Sequence, residues 1–231
     1  MAKKGLICVS VLAESCASVL AAVAPVTGLA DVIEIRIDGL REPLTSACIA
    51  ALAKPVLAVN RPVWEGGRFA GSEQERADQL DAALRDGAGL IDIELRAAPE
   101  FRGRLLATAH RCDAKVIISS HDFAATPSAG HLSAILRRMI ESGADIGKIV
   151  TTATSPADVL RVLLLQQEAM AAAFPLCAFA MGEAGTISRL ATLKLGGFMT
   201  YAAPSREQAT APGQITIHDL HRLLALLDTS P

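Results

Sequence analysis

The segment Ala-Asp-Ile-Gly-Lys-Ile-Val-Thr-Thr (144–152) places a lysine, Lys148, where every other sign is of a strand buried on both faces. An ammonium is costly to hold there, and a desolvated amine is a nucleophile able to condense with a carbonyl carbon. The competing reading is a strand-end lysine that reaches solvent or pairs with Glu94. One apolar run earlier, Val-Ile-Ile-Ser-Ser (116–120) leads straight into His121. An imidazole with an ordinary pKa of about 6.5 can take and return a proton near neutral pH. A lone loop histidine is ordinarily structural or merely exposed, so the argument for His121 is its place one strand from Lys148. Arg36, Arg61 and Arg189 complete the set: the first two end apolar runs, and the third follows the glycines of MGEAGTISRL (181–190). Arginines of this kind fork onto carboxylates, which implies a small anionic or polyhydroxylated ligand. Arg36 pairing with Glu34 or Asp38 in a structural network is compatible with that role.

Other candidates are weaker. His218 and His221 have helical spacing but no third ligand nearby, so they read as a solvated face and no metal site is expected. His110 and His131 fall on helical stretches and read the same way. The GEAG and EGG segments lack the lysine or third glycine of a phosphate loop. No serine stands on a G-x-S-x-G elbow.

These residues need strands to carry them. Short runs rich in β-branched residues, at 6–12, 32–37, 55–60, 90–95, 115–120, 146–152, 175–181 and 197–203, alternate with longer Ala/Leu-rich amphipathic stretches. That alternation is the pattern of a parallel sheet, and eight strands with intervening helices predict an α/β fold, a closed (β/α)8 barrel forming one domain over 1–231. Helices are expected after Ser72, with Glu75 at capping-box spacing, and from Ser155-Pro156. In such a barrel the chemistry sits at the C-terminal ends of the strands. Glu34, Arg36, Asp38, Arg61, Glu65, Asp92, Glu94, His121, Lys148, Met181 and Gln214 all fall at or just beyond strand ends, or within them.

The 231 residues are 51% hydrophobic but only 3% aromatic, which suits a large aliphatic core. A formal charge of −2, with no runs of like charge, argues against nucleic acid or a membrane surface as partner. Cys8, Cys16, Cys48, Cys112 and Cys177 are odd in number and widely spaced, so they are expected to be buried thiols in a reducing compartment. No leader is visible before LICVSVL, and charges and Pro175 interrupt the most apolar region, 159–181. A soluble cytoplasmic protein is expected.

Seven segments, EIRID (34–38), NRPVWEGGRF (60–69), IDIEL (91–95), SSHDF (119–123), GADIGKIVTTA (143–153), MGEAGTISRL (181–190) and APGQ (211–214), together resemble the type I 3-dehydroquinate dehydratases of the shikimate pathway. The resemblance implies that Lys148 forms an imine with the ketone of 3-dehydroquinate, that His121 shuttles the proton, and that Glu65 orients His121. It further implies that Ser10, Glu34, Arg36, Arg61, Arg189, Thr210 and Gln214 contact the substrate, with Arg189 and Gln214 on its carboxylate. No cofactor or metal is implied, and a homodimer is. Thr210 stands where the family usually has serine and keeps the hydroxyl. Many members also carry an N-terminal hairpin that plugs the barrel floor, for which few residues precede Leu6; stability or assembly, not chemistry, would feel this. Two other readings are a Schiff-base aldolase, opposed by the missing phosphate site, and a catalytically silent barrel used for sensing or scaffolding.

Overall fold

The structure, a computed structural model, describes residues 5–227. Eight strands form: β1 (Leu6–Val11), β2 (Val32–Arg36), β3 (Val56–Val59), β4 (Leu90–Glu94), β5 (Lys115–His121), β6 (Ile146–Thr152), β7 (Leu176–Met181) and β8 (Met199–Ala202). All are parallel, in the order β7-β6-β5-β4-β3-β2-β1-β8. The ends of that order meet, since the Phe198 amide donates to the Leu176 carbonyl at 2.8 Å. The sheet is therefore a nearly closed barrel with helices outside, the (β/α)8 fold.

A helix follows every strand: α1 (Cys16–Val23), α2 (Ser46–Ala51), α3 (Glu73–Arg85), α4 (Pro99–Arg111), α5 (Ala129–Glu141), α6 (Pro156–Leu163), α7 (Leu165–Ala171), α8 (Thr186–Lys194) and α9 (Ile217–Leu227). The two start signals read from sequence act as such: Ser72 with Glu75 and Ser155 with Asp158 form capping boxes, and Pro156 occupies the first turn of α6. The connection from β6 to β7 differs from a single helix, because Leu164, at φ −61° and ψ −23°, tightens the chain into a 3-10-like turn and splits it into α6 and α7.

Alternate strand residues face the barrel axis. Its lower half is filled by Cys8, Val32, Leu57, Leu90, Ile117, Ile146, Cys177 and Met199, while the opposite faces of the strands pack on the helices. At the floor, the side chains of Asp31 and Asp145 accept the Ile7 and Val116 amides, each at 2.8 Å. Of the few residues that precede Leu6, 1–4 lie outside the described residues.

The cysteine reading needs correction. Cys16 and Cys48 are joined in a disulfide, Cys112 is exposed, and only Cys8 and Cys177 are buried thiols. The bridged pair lies 32 residues apart in sequence, but α1 and α2 pack as neighbours and bring the two Cα atoms to 5.9 Å. Among the described residues, no helix is long and apolar enough to cross a membrane.

Candidate active site

Midway up the barrel axis, Glu34, Asp92, Lys148 and Tyr201, from β2, β4, β6 and β8, form one layer of four side chains, as alternate strands of a barrel do. Lys148 Nζ lies 3.1 Å from Asp92 Oδ2, 3.7 Å from Glu34 Oε2 and 4.1 Å from the centre of the Tyr201 ring. Lys148 is only 5% exposed. Its partners are therefore not the ones weighed from sequence: Glu94 pairs instead with Arg61 and Arg76. Nor does the lysine snorkel away from the axis. The Tyr201 phenol is pushed well above its ordinary value by burial, with the neighbouring Cys177 and Cys8 thiols adding to it, so the ring stays neutral.

Above this layer the charges are interlocked. Arg61 bonds Asp92 at 2.8 Å, Glu94 at 2.5 Å and the Ser119 hydroxyl at 2.8 Å, and Ser119 donates to Asp92 at 2.5 Å. The other oxygen of Glu94 accepts from Arg76, which reaches in from α3 and also holds Glu73. Burial pushes the Asp92 carboxyl up, but Arg61 and Lys148 outweigh it and hold the group well below the usual carboxylate range. Arg36 grips Asp38 through two hydrogen bonds, at 2.8 and 2.6 Å, while Asp38 accepts the Arg61 and Arg68 amides. The structural pairing weighed for Arg36 is thus present, and its side chain still lines the barrel mouth.

Glu65 ends a 3-10 turn, Val63–Glu65, that folds over the mouth. Its Oε1 accepts the His121 amide at 2.9 Å and lies 3.2 Å from Nδ1 of the same ring. The two glycines that follow are required by space. Gly66 has φ +77°, and a Cβ on Gly67 would come within 1.9 Å of the Arg61 carbonyl oxygen. Burial raises the Glu65 carboxyl to about 7, against the lowering effect of Arg61. Burial, with Arg61 and Lys148 adding positive charge nearby, holds the His121 imidazole well below its ordinary value, so the ring is neutral at pH 7. Phe123 stacks beside it with ring centres 6.0 Å apart.

On the far side, Arg189 rises from α8, its guanidinium 4.9 Å from the Phe179 ring and hydrogen-bonded to the Pro212 carbonyl. Arg189 is 2% exposed, its Nε has no hydrogen-bond partner among the described residues, and burial lowers its pKa to about 10. A buried cation in that condition lacks an anion. The loop after β8 brings Thr210 and Gln214 over the mouth: the Thr210 amide donates to Gln214 at 2.7 Å and its hydroxyl to Ser10 at 3.1 Å, while Ser10 donates to Glu34.

All ten residues expected at the site, Ser10, Glu34, Arg36, Arg61, Glu65, His121, Lys148, Arg189, Thr210 and Gln214, line one cavity at the C-terminal mouth. Asp92 and Glu94, placed by the sequence on β4 but given no role there, join this set, and the structure adds Phe123, Tyr201, and Arg76 behind them. Two acids at alternate positions of the otherwise apolar run LIDIEL were a legible signal for the first pair. Arg76 sits on a helix with nothing to set it apart. Among the described residues no group of three His, Cys, Asp or Glu side chains is placed to hold a metal.

The fold and the site define a class: a (β/α)8 barrel with a buried lysine beside a neutral histidine, ringed by arginines, at its catalytic face. The chain belongs to the type I 3-dehydroquinase family, whose model matches residues 7–231. It is 44% identical over 196 residues to a 3-dehydroquinate dehydratase of Desulfotalea psychrophila, covering 85% of this chain and 87% of that protein. It superposes with a TM-score of 0.90 on the crystal structure of a 3-dehydroquinate dehydratase from Geobacillus kaustophilus, at 32% identity, covering 98% of this chain and 92% of that one. A type I 3-dehydroquinate dehydratase from Clostridium difficile, solved with covalently modified comenic acid, gives 0.88 at 29% identity, covering 97% and 92%.

Proposed function

We propose that this protein is a hydro-lyase that converts 3-dehydroquinate to 3-dehydroshikimate through a Schiff base on Lys148. The observation that carries the reading is Lys148 itself, an amine buried on the barrel axis with His121 on the adjacent strand and, on the far side, the buried Arg189, whose Nε has no hydrogen-bond partner among the described residues.

The Lys148 nitrogen adds to the C3 ketone, and the oxygen leaves as water to give an iminium. That iminium is an electron sink and makes the C2 proton acidic. His121 takes this proton: a neutral ring donating from Nδ1 to Glu65 has Nε2 available as acceptor. The enamine then expels the C1 hydroxyl as His121 returns the proton, so the hydroxyl leaves as water. A further water hydrolyses the product iminium and regenerates the amine. Glu65 holds His121 in place, Arg189 and Gln214 take the carboxylate, and Ser10, Glu34, Arg36, Arg61 and Thr210 take the hydroxyls. No metal or dissociable cofactor enters these steps.

The family resemblance supports a place in the shikimate pathway of aromatic amino acid biosynthesis, and a homodimer. A cytoplasmic location is kept as part of the proposal, without the argument from reduced thiols that the Cys16–Cys48 bridge removes. The whole chain, 1–231, is read as one catalytic domain. The test is incubation of purified protein with 3-dehydroquinate, following the ultraviolet absorption of the conjugated product, beside a sugar-phosphate control for carbon–carbon cleavage. Growth of the enone band supports the reading. Cleavage of the sugar phosphate, or dehydroquinate binding without turnover, would replace it with an aldolase or a silent barrel.

A further inference from the structure

Tyr201 is used by none of the steps above, yet it touches the atom on which they turn. It stands on β8 opposite Cys8 of β1, is 5% exposed, and presents its ring to Lys148 Nζ at 4.1 Å from the centre. Phe179 supports the ring, with centres 5.8 Å apart at a 45° tilt. The Tyr201 hydroxyl is buried and has no hydrogen-bond partner among the described residues. An unpartnered buried hydroxyl is a cost to the fold, so what the site uses here is the ring.

We infer that Tyr201 is a positioning residue for the Schiff-base nitrogen, its ring face holding the positive charge that stays on that nitrogen before and after the covalent bond forms. This rests on the reading of Lys148 as the nucleophile. Overall, an ammonium and a ketone become an iminium and one water, with the single positive charge kept on nitrogen. The hydrogens are not kept: three N–H bonds become one. Asp92 and Glu34, 3.1 and 3.7 Å from Nζ, cannot then both be served by N–H donors. An aromatic face needs charge and not a hydrogen, so its attraction survives the change. Away from water such a contact is worth more than it is on a surface. Asp92 and Glu34 keep the attraction of unlike charges but lose N–H donors as the iminium forms, whereas the Tyr201 contact needs no hydrogen at either stage.

The test compares wild type with Tyr201→Leu and Tyr201→Phe, measuring the fraction of protein converted to a borohydride-reduced adduct at saturating 3-dehydroquinate, together with kcat and KM. Tyr201→Leu should lower the trapped fraction and kcat by at least about tenfold while KM moves less than about threefold. Tyr201→Phe keeps the ring and drops the orphan hydroxyl, so it should recover most of that loss. A Tyr201→Leu protein that traps like wild type overturns the inference, as does a Tyr201→Phe protein as poor as Tyr201→Leu. Wild type that forms no adduct at all removes the covalent role of Lys148 and this proposal with it. Should Tyr201→Leu fail to fold, the Lys148 ε-methylene signal of wild type decides: an upfield ring-current shift supports the stacked geometry, and a normal shift contradicts it.

Discussion

The lower and upper halves of the barrel interior are built from the same strands, yet they are different materials. Below, Cys8, Leu57, Ile117 and Cys177 meet as a buried apolar plug. Two residues further along each strand, the same inward face carries Ser10, Val59, Ser119 and Phe179, interleaved with the Glu34, Asp92, Lys148 and Tyr201 layer. A single step of the strand period thus separates groups that hold the barrel shut from the layer to which the proposed chemistry is assigned. Apart from Arg189, the upper half tolerates its charges largely because they are partnered: Arg61 alone joins Asp92, Glu94 and Ser119. The lower half needs no such arrangement. A mutation should therefore cost activity above this boundary and stability below it.

The largest expected effect is Lys148→Ala, which should lower turnover by at least about three orders of magnitude while calorimetry still detects dehydroquinate binding. Appreciable turnover in that variant would break the comparison at its centre. His121→Ala should lower kcat by about 10²–10⁴ and leave imine trapping on Lys148 intact, which separates condensation from proton transfer. Leu57→Ala, below the boundary, should cost about 2–5 kcal/mol in denaturant unfolding with kcat per folded molecule nearly unchanged; lost activity without lost stability would blur the division.

Smaller effects sharpen it. Glu65 is an acid raised from 4.5 to about 7, so its ionisation opposes folding increasingly as pH rises through that window and fully above it. Glu65→Gln removes that penalty, so its stability relative to wild type should grow from pH 5 to pH 8, read as a difference in Tm at the two pH values. A constant difference would mean that Glu65 is not raised. Thr210→Ser keeps the hydroxyl donated to Ser10 and should change kcat/KM by less than about threefold.

The barrel was legible because its strands are short, β-branched and separated by amphipathic stretches, and the predicted strand limits fall within a residue or two of the observed ones. Of the ten expected site residues, Glu34, Arg36, Arg61, Glu65, His121, Lys148 and Gln214 were legible because strand-end position in a barrel converts sequence order into spatial nearness, Arg189 because glycines precede it, and Ser10 and Thr210 only through the family resemblance. Partners were less so. Lys148 was weighed against Glu94, but Glu94 is drawn to Arg61 and Arg76, and the lysine falls to Asp92 and Glu34, which share its layer. Arg76 enters from a helix, and no spacing rule ties α3 to the barrel axis. The Cys16–Cys48 bridge was missed for a related reason, since it depends on two helices packing side by side.

The most direct test is intact-protein mass spectrometry after 3-dehydroquinate and borohydride, followed by peptide mapping. The account predicts one adduct, of substrate or dehydrated-product mass, on the peptide that contains Lys148. A folded protein that leaves the substrate unchanged and gains no adduct, or that carries it on another lysine, would contradict it.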